Sequence, residues 1–506
     1  MRGNKPGRKM VLAMLTTVIA LSMVLAGCGS KKDTEEAGNS SDGNGLAPYE
    51  LTVAFFGNDQ KDMLEVQDEM NKITKAKINA TVKLMPIAMS AWQQQTNLML
   101  TGNEKIDLMF TSSLFNYSLL AAQGQLNPLD ELLDKYGEGI KEALDPAQLA
   151  ASQINGQTYA VTPVRDLASD YGILMRKDLL DQYNIDSSNI DSLDDLNAVF
   201  QAIKENEPNI VPLVAKNPGT APFNAGYITY DSLGGGVGVL PNYDNNLKVV
   251  DFYETKEYAD QLSILRRWFE KGFMLKDGGT SKQDGREMVK AGKAFAYFSN
   301  LKPGSEIEAS RKSGKEMIAV RLTDAYTTTD SITGMMWSIP KNSQDPSRAM
   351  MLLNLLYSDK QLYNLMTWGI EGKHYVKKSD NVIDYPSGVD IQNLGYNFGT
   401  PYMFGNQFLS YTWTVEDPDI WSKMDEFNKT AKKSKALGFS FNIEKVKTEL
   451  AAVNNVLTEY RVGLESGALD PNTNLPKFIE KLKAAGSDTI VSEKQKQLDE
   501  WAKSQK

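Results

Sequence analysis

The sequence predicts an α/β fold in which helices cover the faces of a largely parallel sheet. Residues 51–56 form a strand pattern of the buried type, and 63–73 place their apolar residues on one helical face. Residues 78–84 alternate apolar and polar side chains, 92–100 are helical, and 106–110 form a third strand pattern. This βαβαβ order is typical of parallel sheets.

The rest of the chain continues the alternation. Asn155-Gly156 predicts a tight turn between two short strands. Further strands are predicted at 172–175, 295–298, 317–322 and 335–339, and helices from 176 and at 255–275, 282–291 and 346–368. After Gly369 the sequence is rich in loops and aromatic residues to about Trp421, and two or three polar helices follow as a helical C-terminal extension.

The N-terminus has the pattern of a secretory signal. Four basic residues precede an apolar segment, Met10–Ala26, which is short for a spanning helix of about 20 residues. The run Leu25-Ala26-Gly27-Cys28 resembles the lipobox of bacterial lipoproteins. That resemblance implies removal of residues 1–27 and a diacylglyceryl thioether on Cys28. An uncleaved membrane anchor is the alternative.

Residues 28–48 are polar and rich in Gly and Ser, which predicts a flexible tether. Removing the signal takes 27 residues and four basic charges from the chain. Its length falls from 506 to 479 residues, and its net charge changes from −9 to −13. This length is enough for two or three domains. The acidic charge disfavours nucleic-acid binding, which needs clustered Lys and Arg.

Composition also limits the chemistry. Cys28 is the one cysteine and His374 the one histidine, so disulfides, thiolate metal sites and His-rich zinc sites are excluded. A structural role is favoured for His374, because no nucleophile motif accompanies it. The glycine-rich run 234–238 lacks the dinucleotide-binding spacing. Residues 470–474 begin like a calcium loop but fit a capped turn better. No cofactor and no metal are predicted.

Four segments in order carry a family resemblance: 155–161, 172–180, 289–297 and 333–341. Together they resemble extracellular solute-binding proteins of family 1, the receptors of ABC sugar importers. The C-terminal part resembles the LipO branch of that family, through 369–375, 475–486 and 493–501.

The resemblance implies a two-lobe, periplasmic-binding-protein-like fold of type II with a ligand cleft between the lobes. It implies lobe one at 49–163 plus about 303–345, and lobe two at 164–302 plus about 346–506. Crossings between the lobes are expected near 163–166, 302–314 and 341–346. Closure about a hinge is the expected motion.

Ligands of open α/β sheets bind beyond the carboxyl ends of the strands. That rule selects polar side chains that follow strands, together with a charged pair at the first expected crossing: Asn58, Asp59, Thr111, Ser112, Ser299, Asn300, Arg165 and Asp166. The aspartates could equally be turn or capping residues.

Sugars stack their C–H faces on aromatic rings, so aromatic residues and one loop acid complete the candidate ligand site: Trp92, Trp337, Tyr375, Trp413 and Glu371. In the family, aromatics near 334–340 and 402–413 often face the cleft, and Trp413 matches that position best. For Trp92 a core position is favoured. For Trp337 a core position and a ligand contact are equally favoured. For Glu371, a ligand contact and plain solvation are equally favoured.

The function implied is capture of a carbohydrate, with an oligosaccharide favoured, and its delivery to the membrane subunits of an ABC permease. We expect a non-enzymatic monomer, held by lipid at the outer face of the cell membrane, as on a Gram-positive surface. A secreted carbohydrate hydrolase with paired carboxylates and a surface adhesin or sensor on the same fold are the alternatives. The identity, length and charge of the sugar stay open.

Overall fold

Two four-stranded sheets, each in its own lobe, organise the computed structural model, which describes residues 45–223, 230–234 and 236–505. The predicted signal, Cys28 and most of the predicted tether lie outside these residues.

The described strands and helices follow in chain order. The strands are β1 (Tyr49–Phe56), β2 (Ala80–Ile87), β3 (Leu108–Thr111), β4 (Gln153–Ile154), β5 (Gln157–Thr158), β6 (Asp170–Arg176), β7 (Val211–Leu213), β8 (Tyr230–Asp231), β9 (Leu240–Pro241), β10 (Ala294–Leu301), β11 (Met317–Arg321), β12 (Tyr326–Thr327), β13 (Met336–Ser338), β14 (Val376–Lys377), β15 (Val382–Asp384), β16 (Thr412–Trp413) and β17 (Lys432–Lys433). The helices are α1 (Met63–Ile78), α2 (Trp92–Thr101), α3 (Tyr117–Ala122), α4 (Asp130–Tyr136), α5 (Glu138–Ala143), α6 (Pro146–Ala150), α7 (Lys177–Gln182), α8 (Leu196–Asn206), α9 (Lys256–Glu270), α10 (Gly285–Lys290), α11 (Ser305–Ser313), α12 (Thr329–Thr333), α13 (Pro346–Ser358), α14 (Lys360–Trp368), α15 (Ile420–Thr430), α16 (Lys447–Glu465), α17 (Pro471–Ala484) and α18 (Ser487–Ser504).

Lobe one is built on the sheet β13-β3-β1-β2. Strand β1 runs parallel to β2 and β3, and β13 is antiparallel to β3. This confirms the predicted βαβαβ beginning. The β4–β5 hairpin turns at Asn155 and Gly156, whose φ angles of 53° and 76° are those that Asn and Gly tolerate best.

Lobe two is built on the mixed sheet β11-β6-β10-β7. Strand β10 is antiparallel to β6 and parallel to β7. The C-terminal helices belong to this lobe, because Val453 of α16, Phe478 of α17 and Ile490 of α18 share one core with Leu262 of α9.

The chain crosses between the lobes at three places: near 164–169, near 323–333 and through α15. Backbone pairing ties the crossings together, since Ser169 bridges Tyr326 and β12 pairs with β17. The side chain of Asn428 on α15 adds a clamp. Its Oδ1 accepts hydrogen bonds from the N–H groups of Leu167 and Ala168, both at 3.0 Å, and its Nδ2 donates to the Arg165 carbonyl at 2.6 Å.

Two of the expected lobe boundaries are wrong. Residues 305–313 form α11, whose Ala309 packs in lobe two with Leu174 and Tyr297, so 303–322 does not return to lobe one. One face of α11 is exposed to solvent and carries polar side chains. The sequence of this helix is therefore polar, like that of a linker between lobes.

Helix α13 belongs to lobe one rather than lobe two. The buried Arg348 donates to the carbonyls of Ala47, Ile78 and Asn79 at 3.1, 2.7 and 2.9 Å. Asp345-Pro346 marks the start of this helix and not a crossing between the lobes. The Asp345 side chain caps the helix by accepting a hydrogen bond from the Arg348 N–H.

Across the described ranges, no helix has both the length and the apolar character to span a bilayer.

We predict that Asn428→Ala destabilises the protein by about 1–3 kcal/mol, because two buried N–H groups of the first crossing lose their acceptor. Urea unfolding measures the change. Asn206→Ala, at an exposed position on α8, is the control and should change stability by less than about 0.5 kcal/mol. Equal stabilities of the two variants would show that the clamp contributes nothing.

Candidate functional site

Two adjoining cavities lie where the crossings meet lobe two. The first, called here the hinge cavity, has a volume of about 410 Å³. It is lined by Arg165, Asp166, Leu167, Ala168, Ser169, Leu174, Lys216, Arg286, Tyr297, Ser299, Asn300, Leu301, Lys302, Ser305, Glu308, Ala309, Lys312 and Ser331.

The second, called here the aromatic cavity, has a volume of about 380 Å³. It is lined by Ser169, Tyr230, Ser232, Gly236, Val239, Phe252, Tyr253, Asn300, Tyr326, Thr328, Asp330, Ser331, Arg461 and Glu465. Ser169, Asn300 and Ser331 line both cavities. The two cavities therefore adjoin at these residues, and each has the size usual for ligand sites.

Charge pairs fix the wall of the hinge cavity at the first crossing. The Asp166 carboxylate accepts hydrogen bonds from the Lys302 ammonium at 2.6 Å and from the Arg165 guanidinium at 3.2 Å. Arg165 also donates to the Ser331 carbonyl at 2.6 Å. Burial raises the pKa of the Asp166 carboxyl, but the charges of Lys302 and Arg165 outweigh it and hold that pKa below its usual value. The carboxylate is therefore ionised at neutral pH.

The structure brings four of the predicted residues together. Arg165 and Asp166 at the first crossing meet Ser299 and Asn300 at the end of β10, all on the hinge cavity. The rule that ligands bind at strand ends selects Ser299 and Asn300. The expected position of the first crossing selects Arg165 and Asp166. Their contact with a ligand stays a prediction.

Other predicted residues lie in the core of lobe one, and a ligand role for them is corrected. Trp92 is 2% exposed and packs against Phe56 at 4.5 Å between ring centroids. Trp337 is 0% exposed, and its indole N–H donates to the Met403 carbonyl at 2.7 Å. Neither indole leaves a face for a sugar, because both are closely packed, and an internal acceptor also satisfies the N–H of Trp337.

Thr111 and Ser112 are also buried in lobe one. The Thr111 hydroxyl lies 2.8 Å from the Ser338 hydroxyl, across the β3–β13 pair. The Ser112 hydroxyl accepts from the Leu114 N–H and so caps a helical turn. Hydrogen bonds within lobe one therefore already satisfy the hydroxyl groups of Thr111 and Ser112.

The remaining candidates are spread over lobe one, away from both cavities. Asn58 and Asp59 are exposed in the turn after β1, and Glu371 pairs with Lys377 at 3.1 Å. Tyr375 is buried against Tyr411, and the half-buried Trp413 packs on Tyr385 at 4.4 Å. None of these residues lines either cavity.

Sequence reasoning missed most of the lining. Lys216 follows the short strand β7, and the strand-end rule would have selected it had that strand been predicted. Arg461 and Glu465 come from α16, far along the chain, and no local pattern connects them to the cleft.

Lys494 organises the glycine-rich loop that borders the aromatic cavity. This residue of α18 is 0% exposed. Its ammonium donates to the carbonyls of Val237 at 2.6 Å, Gly238 at 2.7 Å, Ser232 at 3.3 Å and Gly234. The loop therefore holds a cation through its carbonyls, unlike a phosphate loop, which presents N–H groups.

Two predictions of structural roles can be compared with the contacts. His374 is buried, its Nδ1 accepts from the Ile370 N–H at 2.8 Å, and its Nε2 lies 3.2 Å from Asp62. The Asp470 side chain accepts from the Asn472 N–H at the start of α17, which confirms the capped turn. Within the described residues, no group of three or more His, Cys, Asp or Glu side chains could hold a metal ion.

Two lobes on separate sheets, joined by three crossings with a cavity beside them, define a hinged ligand-binding protein. The chain belongs to the bacterial extracellular solute-binding proteins, whose family pattern matches residues 57–362. Residues 435–503 match a domain of unknown function, DUF3502, which contains α16, α17 and α18.

Individual relatives agree with the family. A carbohydrate ABC transporter substrate-binding protein of Streptococcus pneumoniae serotype 4 is 28% identical over 499 residues, or 97% of this chain and 98% of the relative. Lipoprotein LipO of Bacillus subtilis is 24% identical over 386 residues, or 71% of this chain and 72% of LipO.

A solved structure is also similar. The N-glycan transport solute binding protein (NgtS) from Streptococcus pneumoniae superposes with a TM-score of 0.80 at 26% identity, over 91% of this chain and 100% of that one. NgtS in complex with Man5GlcNAc gives a TM-score of 0.67, over 91% of this chain and 100% of that one.

We predict that Glu465→Gln changes how stability depends on pH. Burial raises the pKa of Glu465 to about 7, against the charge of Arg461 and the hydrogen bond from Tyr258. A carboxyl whose pKa is raised on folding stabilises the protein below its unfolded pKa of 4.5, and this contribution is lost as the pH rises through about 7. The Gln variant should therefore gain stability over the native protein, by about 1–3 kcal/mol, between pH 4.5 and pH 8.

Urea unfolding at several pH values measures this slope. Glu459→Gln is the matched control, because Glu459 is an exposed glutamate of the same helix that pairs with Lys481. If the stabilities of the native protein and of Glu465→Gln changed with pH in the same way, the raised pKa of Glu465 would be contradicted.

We predict that Lys494→Met destabilises the protein by about 1–3 kcal/mol, since buried carbonyls of the loop lose their donor. Urea unfolding and limited proteolysis within the loop report the change. Lys496→Met, exposed on the same helix, removes an equal charge and should leave both unaltered.

Proposed function

We propose that this protein is the carbohydrate-binding subunit of an ABC importer, which captures an oligosaccharide between its lobes without chemical turnover. One observation carries the proposal: the aromatic cavity combines four aromatic side chains with Asp330, Arg461 and Glu465 directly beside the crossings. Aromatic rings suit the C–H faces of sugars, and planar charged groups suit their hydroxyls. A ligand at this place contacts the segments on which lobe movement depends.

The comparisons support an oligosaccharide. NgtS binds Man1GlcNAc and Man5GlcNAc in its crystal structures, and the relative from the same species is described as a carbohydrate transporter component. This structure superposes on NgtS at a TM-score of 0.80, but on the two sugar complexes at 0.69 and 0.67. The difference supports a rotation of the lobes on ligand binding.

The site of action follows from the N-terminus. We propose that Cys28 carries the lipid anchor, that the tether separates the folded lobes from the outer face of the membrane, and that the closed form docks on permease subunits. The lipobox pattern and the similarity to lipoprotein LipO support this arrangement.

We expect at least one member of a panel of neutral and acidic oligosaccharides to raise the thermal midpoint of the chain from residue 28 carrying Cys28→Ser. A ligand that binds only the folded state adds about 2.7 kcal/mol at one hundred times its dissociation constant. Chromatography of the sugar after incubation should show no product. A product would favour a hydrolase, and no shift with any oligosaccharide would refute carbohydrate binding.

The same assay tests the place of binding. Asp330→Ala, at an exposed carboxylate of the aromatic cavity, should weaken the sugar about tenfold. Asp260→Ala, at an exposed carboxylate of α9 that pairs with Lys256, is the control and should bind normally. Equal affinities would place the sugar elsewhere.

A further inference from the structure

The hinge cavity has a charge opposite to that of the protein as a whole. The chain carries a net charge of −9, yet five cationic side chains line this cavity against two carboxylates. The carboxylates are Asp166 and Glu308. An excess of positive charge in a concave site raises the local concentration of anions.

Internal pairing uses most of these cations but leaves Lys216. Lys302 and Arg165 share Asp166, Lys312 pairs with Glu308, and Arg286 pairs with Asp284. Within the described ranges, no carboxylate lies within ion-pairing distance of the Lys216 ammonium, which donates to the Ser299 hydroxyl at 2.7 Å. Burial and the nearby charge of Arg286 lower the pKa of Lys216, and the charges of Glu308 and Asp284 oppose this shift only in part.

The fold brings this lysine to the place where ligands bind. Lys216 follows β7 and Ser299 lies near the carboxyl end of β10, and these neighbouring strands are parallel, so their carboxyl ends meet. Gly285 at the start of α10 allows the close approach of the Lys216 loop. A Cβ built there would lie 2.2 Å from the Ala215 carbonyl oxygen. That approach brings Arg286 to the same cavity.

We infer that the hinge cavity binds the carboxylate of an acidic sugar residue, while the adjoining aromatic cavity holds a neighbouring sugar ring. This inference rests on the proposed carbohydrate function and specifies the class of sugar. Lys216 and Arg286 supply charge-assisted hydrogen bonds to the carboxylate. Ser169, Asn300 and Ser331 line both cavities. The two cavities therefore lie side by side, within the span of one oligosaccharide.

Matched pairs of sugars test the inference. Trimers of galacturonate, glucuronate and mannuronate are compared by calorimetry with their carboxyl-reduced forms, the galactose, glucose and mannose trimers. The protein is the chain from residue 28 carrying Cys28→Ser. In at least one pair the acidic trimer should bind ten times more tightly or better, and 300 mM NaCl should weaken the acidic trimer alone.

Variants then locate the carboxylate. Lys216→Met should remove most of the preference for the acidic trimer, and a circular dichroism spectrum equal to that of the native protein shows that the variant is folded. Lys290→Met, at an exposed lysine on α10, removes the same charge outside the cavity and should change neither affinity.

The possible results separate the two proposals. Neutral trimers that bind as tightly as their acidic partners would overturn the acidic-sugar inference alone. Equal loss of both trimers in Lys216→Met would overturn it as well, since the lysine would then be structural. No binding in any pair, together with no thermal shift by any oligosaccharide, would overturn the carbohydrate proposal and the inference with it.

Discussion

The contacts among the crossing segments are the constraint on which the rest of the site depends. The amide of Asn428 binds the backbone of the first crossing on both its donor and acceptor sides, and the β12–β17 pair joins the second crossing to the third. These bonds set the path of residues 164–169 and therefore the direction of Arg165 and Asp166. The crossings join the two lobes, so a rotation of one lobe relative to the other turns about them. Rotation is the motion that a receptor needs to enclose a ligand.

Local charge at the site is independent of the charge of the chain. The protein is acidic overall, and net charge bears on the solubility and association of a chain rather than on the chemistry of one site. The hinge cavity is basic because the segments that follow β7 and β10 and the helices α10 and α11 each place a cation on one small surface. Coulombic interactions are strongest at short distances and where dielectric screening is weak. The charges that line the cavity, and not the net charge of the chain, therefore govern recognition of a ligand.

The C-terminal helices contribute to the site as well as to the core of lobe two. Lys494 of α18 fixes the carbonyls of the loop that borders the aromatic cavity, and α16 supplies Arg461 and Glu465 to its wall. A buried ammonium requires several acceptors, and the loop requires a donor for carbonyls that no strand pairs. Each satisfies the other, which links the matched domain at 435–503 to the wall of the aromatic cavity.

The sequence by itself determined the βαβαβ beginning of lobe one, the turn at Asn155 and Gly156, and the placement of Ser299 and Asn300 near the carboxyl end of β10. Hydrophobic periodicity, turn residues and capping residues are local signals, and they act over a few residues. Tertiary structure alone decided that α11 belongs to lobe two and α13 to lobe one, that Trp92 and Trp337 are core residues, and that Lys216, Arg461 and Lys494 reach the cavities. These outcomes depend on which faces meet in space between segments up to hundreds of residues apart, and burial and pairing at such distances leave no periodic trace in the chain.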